Sequence, residues 1–218
     1  MKQVLAIFII SLLSQCGTAS QKGVENPKDQ DELPSRDLQE LETAYFASGC
    51  FWCVEAIYES VKGVEEVVSG YSGGKEKNPT YRQVGGGQSS HAEAVKVYYD
   101  PEIISFKTLV AVFYGSQNPT TVNGQHPDFG TQYRSIIFYE NEEEKNIATA
   151  YRDSLDNSGQ YKKPIATEIV PFEKFWDAED YHQDYEKRNP YQPYIRSVSV
   201  PRLKRFEAKF PELIKEDH

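Results

Sequence analysis

Thr43-Ala44-Tyr45-Phe46-Ala47-Ser48-Gly49-Cys50-Phe51-Trp52-Cys53-Val54-Glu55-Ala56-Ile57-Tyr58 opens the folded part of the chain. Residues 43–47 read as a strand, 53–61 as a helix and 64–68 as a second strand. A Cys-x-x-Cys pair therefore lies where a strand gives way to a helix. Downstream, residues 92–99 alternate apolar and polar and read as a strand. Residues 105–115 place Leu109, Val112 and Phe113 on one helical face, with Ser105 as N-cap and Gly115 near the end. Residues 134–139 are β-branched and aromatic, and Asn141 followed by three glutamates opens a further helix where the dipole favours acidic groups. A last strand is expected over 165–170. This pattern predicts one α+β domain, a small mixed sheet covered by helices. Two long loops, 72–90 and 116–130, are rich in Gly, Asn, Gln and Pro and are the expected carriers of the site.

Beyond this region the ends read differently. Lys2, an apolar run over residues 4–13, and the small residues Gly17, Thr18 and Ala19 make residues 1–19 an export signal. The run falls short of the roughly 20 residues that span a bilayer as a helix. Cys16 has two readings. It is the acylated N-terminus of a lipoprotein whose signal is 1–15, anchored in the cell envelope, or it is discarded by cleavage after Ala19, leaving the chain free in the periplasm. Residues 20–40, polar and holding Pro27 and Pro34, read as a linker. The catalytic domain is expected over 41–200. A helical extension is expected over 201–218, where Leu203, Phe206 and Phe210 follow Pro201 at helical spacing.

Composition narrows the function. The 218 residues are 39% hydrophobic and 13% aromatic, with 15 Tyr, which suits one ordinary core and argues against disorder. Net charge is −9, and no block of Lys and Arg occurs, so nucleic acid is an unsuitable partner. A Cys-x-x-Cys pair can be half of a zinc site, a structural pair or a redox pair. Zinc needs two more ligands, yet His91, His126, His182 and His218 show no ligand spacing. A thiol at a helix N-terminus meets unpaired N–H groups and the positive dipole end, which lower its pKa and favour a reactive thiolate. Cys50 is nearest that end and is the expected nucleophile, with Cys53, one turn on, as its resolving partner. A thioredoxin-like oxidoreductase also places Cys-x-x-Cys at such a turn. Here Phe51 and Trp52 lie between the thiols and suggest an apolar wall beside them, although Phe51 equally suits the core.

Gly49-Cys50-Phe51-Trp52-Cys53-Val54-Glu55 resembles the active-site signature of the peptide methionine sulfoxide reductase A family. Further stretches match in order: Ser69-Gly70-Tyr71-Ser72-Gly73-Gly74, Asn78-Pro79-Thr80-Tyr81, His91-Ala92-Glu93, Asp128-Phe129-Gly130-Thr131-Gln132-Tyr133-Arg134-Ser135, and Tyr181-His182-Gln183. The resemblance implies a two-layer, ferredoxin-like sandwich and reduction of the S epimer of methionine sulfoxide, a repair of oxidised peptides and proteins. It implies that Glu93 is the acid and that Tyr81 and Tyr133 donate hydrogen bonds to the sulfoxide oxygen. Phe51 and Trp52 would then receive the S-methyl group and Asp128 would help to bind the substrate. No metal or organic cofactor is implied. The reductant would be a thioredoxin-like dithiol protein. Family members often carry a further resolving Cys after a Tyr near the C-terminus, but here Tyr194 is followed by Ile195. Cys53 is thus left as the resolving thiol, with Tyr194 still able to line the site. Ser90, Asn118, Gly124 and His126 also depart from the pattern.

Overall fold

The computed structural model describes residues 38–216. The expected export signal, Cys16 with both of its readings, and the linker up to residue 37 lie outside the described residues. In chain order the elements are β1 (Glu42–Ser48), α1 (Phe51–Glu59), β2 (Val64–Ser72), α2 (Tyr81–Gly85), β3 (Ala92–Tyr99) and α3 (Phe106–Gly115). A small hairpin of β4 (Gly124–Gln125) and β5 (Asp128–Phe129) follows, then β6 (Ser135–Tyr139), α4 (Glu142–Asn157), β7 (Glu168–Pro171), β8 (Phe175–Asp177), α5 (Tyr185–Arg188) and α6 (Val200–Lys209).

Six strands form one sheet in the order β7-β6-β1-β3-β2-β8. Only β6 and β7 pair in parallel, so the sheet is mixed as expected. The central β6-β1-β3-β2 set, with α1 and α3 as its connections, is the β-α-β-β-α-β unit of a ferredoxin-like fold, and β7 and β8 extend it at the edges. One face carries the main core, where Phe46, Val95, Val97 and Ile137 of the sheet meet Val54, Ile57, Leu109 and Phe113 of α1 and α3. Burying each such side chain contributes about 1.5–3 kcal/mol. The other face is closed over Tyr45, Ala94, Ile136, Phe138 and Phe175, with Phe172 stacked on Tyr45 at 3.8 Å. Burial on both faces explains the unbroken apolar run Ala44-Tyr45-Phe46-Ala47 within β1 in place of an alternation.

Helix starts follow the expected caps. Ser105 Oγ accepts the Thr108 N–H at 3.2 Å, and Asn141 Oδ1 accepts the Glu144 N–H at 2.9 Å. Other boundaries move. Helix α1 begins at Phe51, two residues before the expected start. The last expected strand is displaced to Glu168–Pro171. The 72–90 loop holds α2, and the 116–130 loop holds the β4–β5 hairpin. The C-terminal helix does not begin at Pro201. A wide π turn, Ile195–Ser199, runs straight into α6, so the proline is its second residue. Phe210 lies just past the helix and presses on α3 so closely that a Cβ on Gly115 would sit 2.3 Å from its ring. The tail then returns to the end of α1, with the Lys62 N–H donating to Leu213 O at 2.8 Å.

Candidate active site

Gly49 makes the turn from β1 into α1 at φ +85°, and a Cβ there would lie 2.9 Å from Gln125 Cβ. Cys50 is the residue capping the helix. Both thiols are free, with Cys50 7% and Cys53 1% exposed. The antiparallel register that sets Phe46 opposite Val95 carries the start of β3 to the end of β1, and so brings Glu93 beneath the helix. Its Oε2 accepts the Phe51 N–H at 3.1 Å. The carboxyl group, not the thiol, takes the first N–H of the helix.

That placement corrects the expected electrostatics of Cys50. Its thiol is pushed well up, first by burial, then by the Cys53 thiol and the Glu93 carboxylate, with Tyr194 opposing. Cys53 is instead drawn down to about 6, chiefly by the Cys50 thiol hydrogen-bonding to it against its own burial, and further by Arg202, Ser199 and Tyr194. Within the pair, burial favours the proton on Cys50, while the Cys50 thiol and Arg202 favour its loss from Cys53. Burial also drives Glu93 up to about 8, offset by the Phe51 N–H and reinforced by Asp128 and Cys53. At neutral pH this carboxyl keeps its proton.

On the aromatic side, Tyr81 starts α2, where its N–H donates to Glu179 Oε1 at 3.0 Å. Tyr133 ends a 3-10 turn, Thr131–Tyr133, which Gln132 ties to α2 through a 3.2 Å bond to Gly85 O. Burial raises Tyr81 to about 12 and Tyr133 as well, and Glu93 and Cys50 push both further up when they are ionised. Both remain proton donors at neutral pH. The half-buried Trp52 donates its Nε1–H to His182 Nδ1 at 3.1 Å and stacks on Tyr185 at 3.8 Å. Phe51 is fully buried against Tyr71, Tyr81 and His182, so both readings of this ring hold: it is core and the floor beside Cys50. Tyr194 donates to Asp128 Oδ2 at 2.5 Å and lies 3.8 Å from Cys53 Sγ. Ile195, where a further Cys would stand, is fully buried.

The loops are held by residues that the motifs contain without naming a role. His91 Nδ1 accepts the Gly74 N–H at 3.1 Å, and its Nε2 pairs with Glu76 O at 2.8 Å. Arg134 reaches Gly73 O and Ser90 O, closing both ends of the 72–90 loop. The Ser90 hydroxyl adds a bond to Glu76 Oε2 at 2.8 Å, so that departure ties its loop, while the Gln125 amide holds the backbone N–H and C=O of Asn118 whatever side chain stands there. His182 and Tyr185 brace Trp52, and Arg202 faces Cys53; none was singled out as a site residue. A 550 Å³ cavity opens on the Cys53 side, walled by Asp128, Tyr194, Gln117, Arg202 and Arg205. Among the described residues no group of three His, Cys, Asp or Glu side chains is placed to hold a metal ion.

The family model for peptide methionine sulfoxide reductase matches residues 42–214, from β1 to the C-terminal tail. The chain belongs to this family. Among the relatives of this reductase, peptide methionine sulfoxide reductase MsrA 1 of Rhodopirellula baltica is 48% identical over 87% of the chain and 97% of its own length. The enzyme MsrA of Polynucleobacter asymbioticus is 43% identical over 84% of the chain and 97% of its length. In structure, the chain is similar to reduced Mxr1 from Saccharomyces cerevisiae, with a TM-score of 0.64, 34% identity and coverage of 71% of this chain and 89% of that one. It is similar also to methionine sulfoxide reductase A of Corynebacterium diphtheriae, at 0.63, 34%, 71% and 79%. The chain is thus an oxidoreductase of the methionine sulfoxide reductase family, built on the α+β fold its sequence implied.

Proposed function

We propose that this reductase repairs methionine S-sulfoxide in peptides and proteins through attack by Cys50. A sulfoxide sulfur is a poor electrophile until its oxygen is protonated, so the reaction needs a thiol, an acid and donors to that oxygen. The observation that carries the reading is a buried carboxyl, Glu93, that holds its proton at neutral pH and shares the N-terminus of α1 with Cys50. Glu93 gives its proton to the oxygen while Tyr81 and Tyr133 donate hydrogen bonds to it. Cys50 Sγ attacks the sulfur and the Cys50 proton restores Glu93. The protonated oxygen then passes from the substrate sulfur to Sγ: the substrate S–O bond and the transient Sγ–S bond break, an Sγ–O bond forms, methionine leaves with its sulfur electron pair restored, and Cys50 is left as a sulfenic acid.

Trp52, braced by His182 and Tyr185, offers the apolar wall for the S-methyl group over the Phe51 floor, while Asp128 and Tyr194 meet the polar part of the substrate. Fixing methyl on one side and oxygen on the other admits one sulfur epimer. Cys53 then condenses with the sulfenic acid, and a thioredoxin-like dithiol protein reduces the disulfide. The export signal read in residues 1–19 supports the periplasm or cell envelope as the place of this work, with Cys16 as the anchor if it is acylated.

The test is a rapid single-turnover assay of the reduced protein with separate S and R epimers of a methionine sulfoxide peptide. One methionine per chain from the S epimer alone is expected. Equal yields from both epimers would overturn the stereochemical reading, and none from either would move disulfide exchange to the front.

A further inference from the structure

We propose that Arg202 is the positioning residue of the recycling half of the cycle, its buried guanidinium serving as the counter-ion of the Cys53 thiolate that closes the disulfide. The inference rests on Cys53 as the resolving thiol and adds the group that keeps it charged.

Arg202 comes from α6, outside every stretch that matched the family signature. It is only 8% exposed. A guanidinium cannot shed its charge, so withdrawing it from water costs several kcal/mol unless an anion or well-placed acceptors replace the solvent. Its hydrogen bonds run to neutral oxygens. Nε donates to Ser116 O at 2.9 Å, at the end of α3, and Nη2 donates to Ser48 Oγ at 3.2 Å, at the end of β1. The remaining nitrogen, Nη1, lies against Gly49, 3.5 Å from where a Cβ would stand. Among the described residues no carboxylate comes within ion-pair distance of it. Three elements thus aim a fixed positive charge at the turn that carries the thiols, and Arg202 and Cys53 wall the same cavity.

The groups facing Cys53 come from every side. They are Cys50 on its own helix, Glu93 from β3, Asp128 from β5 through the Tyr194 hydroxyl, and Ser199 and Arg202 from the C-terminal helical stretch, with His126, Arg205 and Lys209 farther along the cavity wall. Arg202 is the buried cation among them and the one whose charge acts on Cys53. The step it serves balances simply. Cys53 S⁻ attacks the sulfur of Cys50–SOH, the S–S bond forms, the S–O bond breaks, and the hydroxide leaves as water with a proton from Glu93. The wide turn Ile195–Ser199 gives the geometry its cause, since it places Tyr194, Ser199 and Arg202 around one sulfur.

The full chain, Arg202→Met and Arg202→Lys are each mixed with one equivalent of the S-sulfoxide peptide across pH 5 to 9. Methionine, trapped sulfenic acid and disulfide are then counted. The natural chain is expected to close the disulfide at a rate that rises with pH as Cys53 ionises, with Arg202 holding that rise at lower pH. In Arg202→Met the methionine burst persists, sulfenic acid accumulates, and the profile moves up by about one pH unit, making closure about tenfold slower on the acid side. Arg202→Lys restores most of the profile. An Arg202→Met profile identical to that of the natural chain overturns the proposal, whereas no methionine burst from the natural chain overturns the reductase reading instead. Thiolate absorbance of Cys53 in Cys50→Ser, with and without Arg202→Gln, reads the same charge without turnover; an unmoved titration there also overturns it.

Discussion

Glu93 joins two demands that pull against each other: it must hold a proton at neutral pH and stand beside a thiol that must lose one. Replacing it by Gln is expected to slow single-turnover methionine formation by about 10²–10⁴-fold. Because burial sets the carboxyl near 8, the natural chain should attack more slowly as pH rises through that value, and Glu93→Gln should show no such decline in a quenched-flow profile. Cys50→Ser should form no methionine. Cys53→Ser should form one per chain and then stall with a thioredoxin system, and repeated turnover there would remove Cys53 from the cycle. At this scale the ordered motifs name eight candidate residues and the C-terminal stretch adds Tyr194, and the structure gathers these nine around the start of α1. The charge of Cys50 was misread because a helix N-terminus was credited to the thiol when Glu93 takes the N–H. Arg202 was illegible, since its partners Ser48 and Ser116 lie 154 and 86 residues away.

Among the elements, the strands that pair β1 and β3 were legible because they are apolar and of ordinary length. Strand β8 was not: Phe175-Trp176-Asp177 is too short to show a period, and it becomes a strand only because β2 offers an edge. That edge is made close by Gly70, where a Cβ would fall 2.4 Å from both Trp176 O and a Phe175 ring carbon. Gly70→Ala must therefore push β8 outward, and a loss of about 2–3 kcal/mol is expected in urea denaturation. Helix α2 was hidden in a glycine-rich loop for a similar reason. Five residues cannot nucleate alone, and the helix persists because Gln132, Glu179 and the Thr80–Gln83 pair hold it.

Across the whole molecule, buried acids make stability depend on pH. Glu55 of α1 accepts the Asp184 N–H at 3.0 Å, and burial raises it to about 8, as it does Glu93. A carboxyl raised on folding supports the native state fully below its unfolded value, ordinarily near 4.3, and that support is lost as pH rises through about 8. Thermal stability should thus fall from pH 5 to 8. Glu55→Gln, which keeps an acceptor for Asp184, should flatten the trend by about 3 °C or more in Tm. Removing residues 201–216 should cost about 3–6 kcal/mol through Leu203 and Phe206 alone, and a denaturation midpoint unmoved by that truncation would show the tail to be an appendage.

Ile195 sets the capacity of the molecule. With an inert side chain at the position of a further thiol, an oxidised chain cannot pass its disulfide along its own surface and rearm. On the proposed cycle each molecule is a store of a single electron pair, emptied by one damaged methionine. In a sudden oxidant pulse the repairs completed before outside reductant arrives would equal the number of reduced chains already in place, so abundance, more than catalytic speed, would govern the first response.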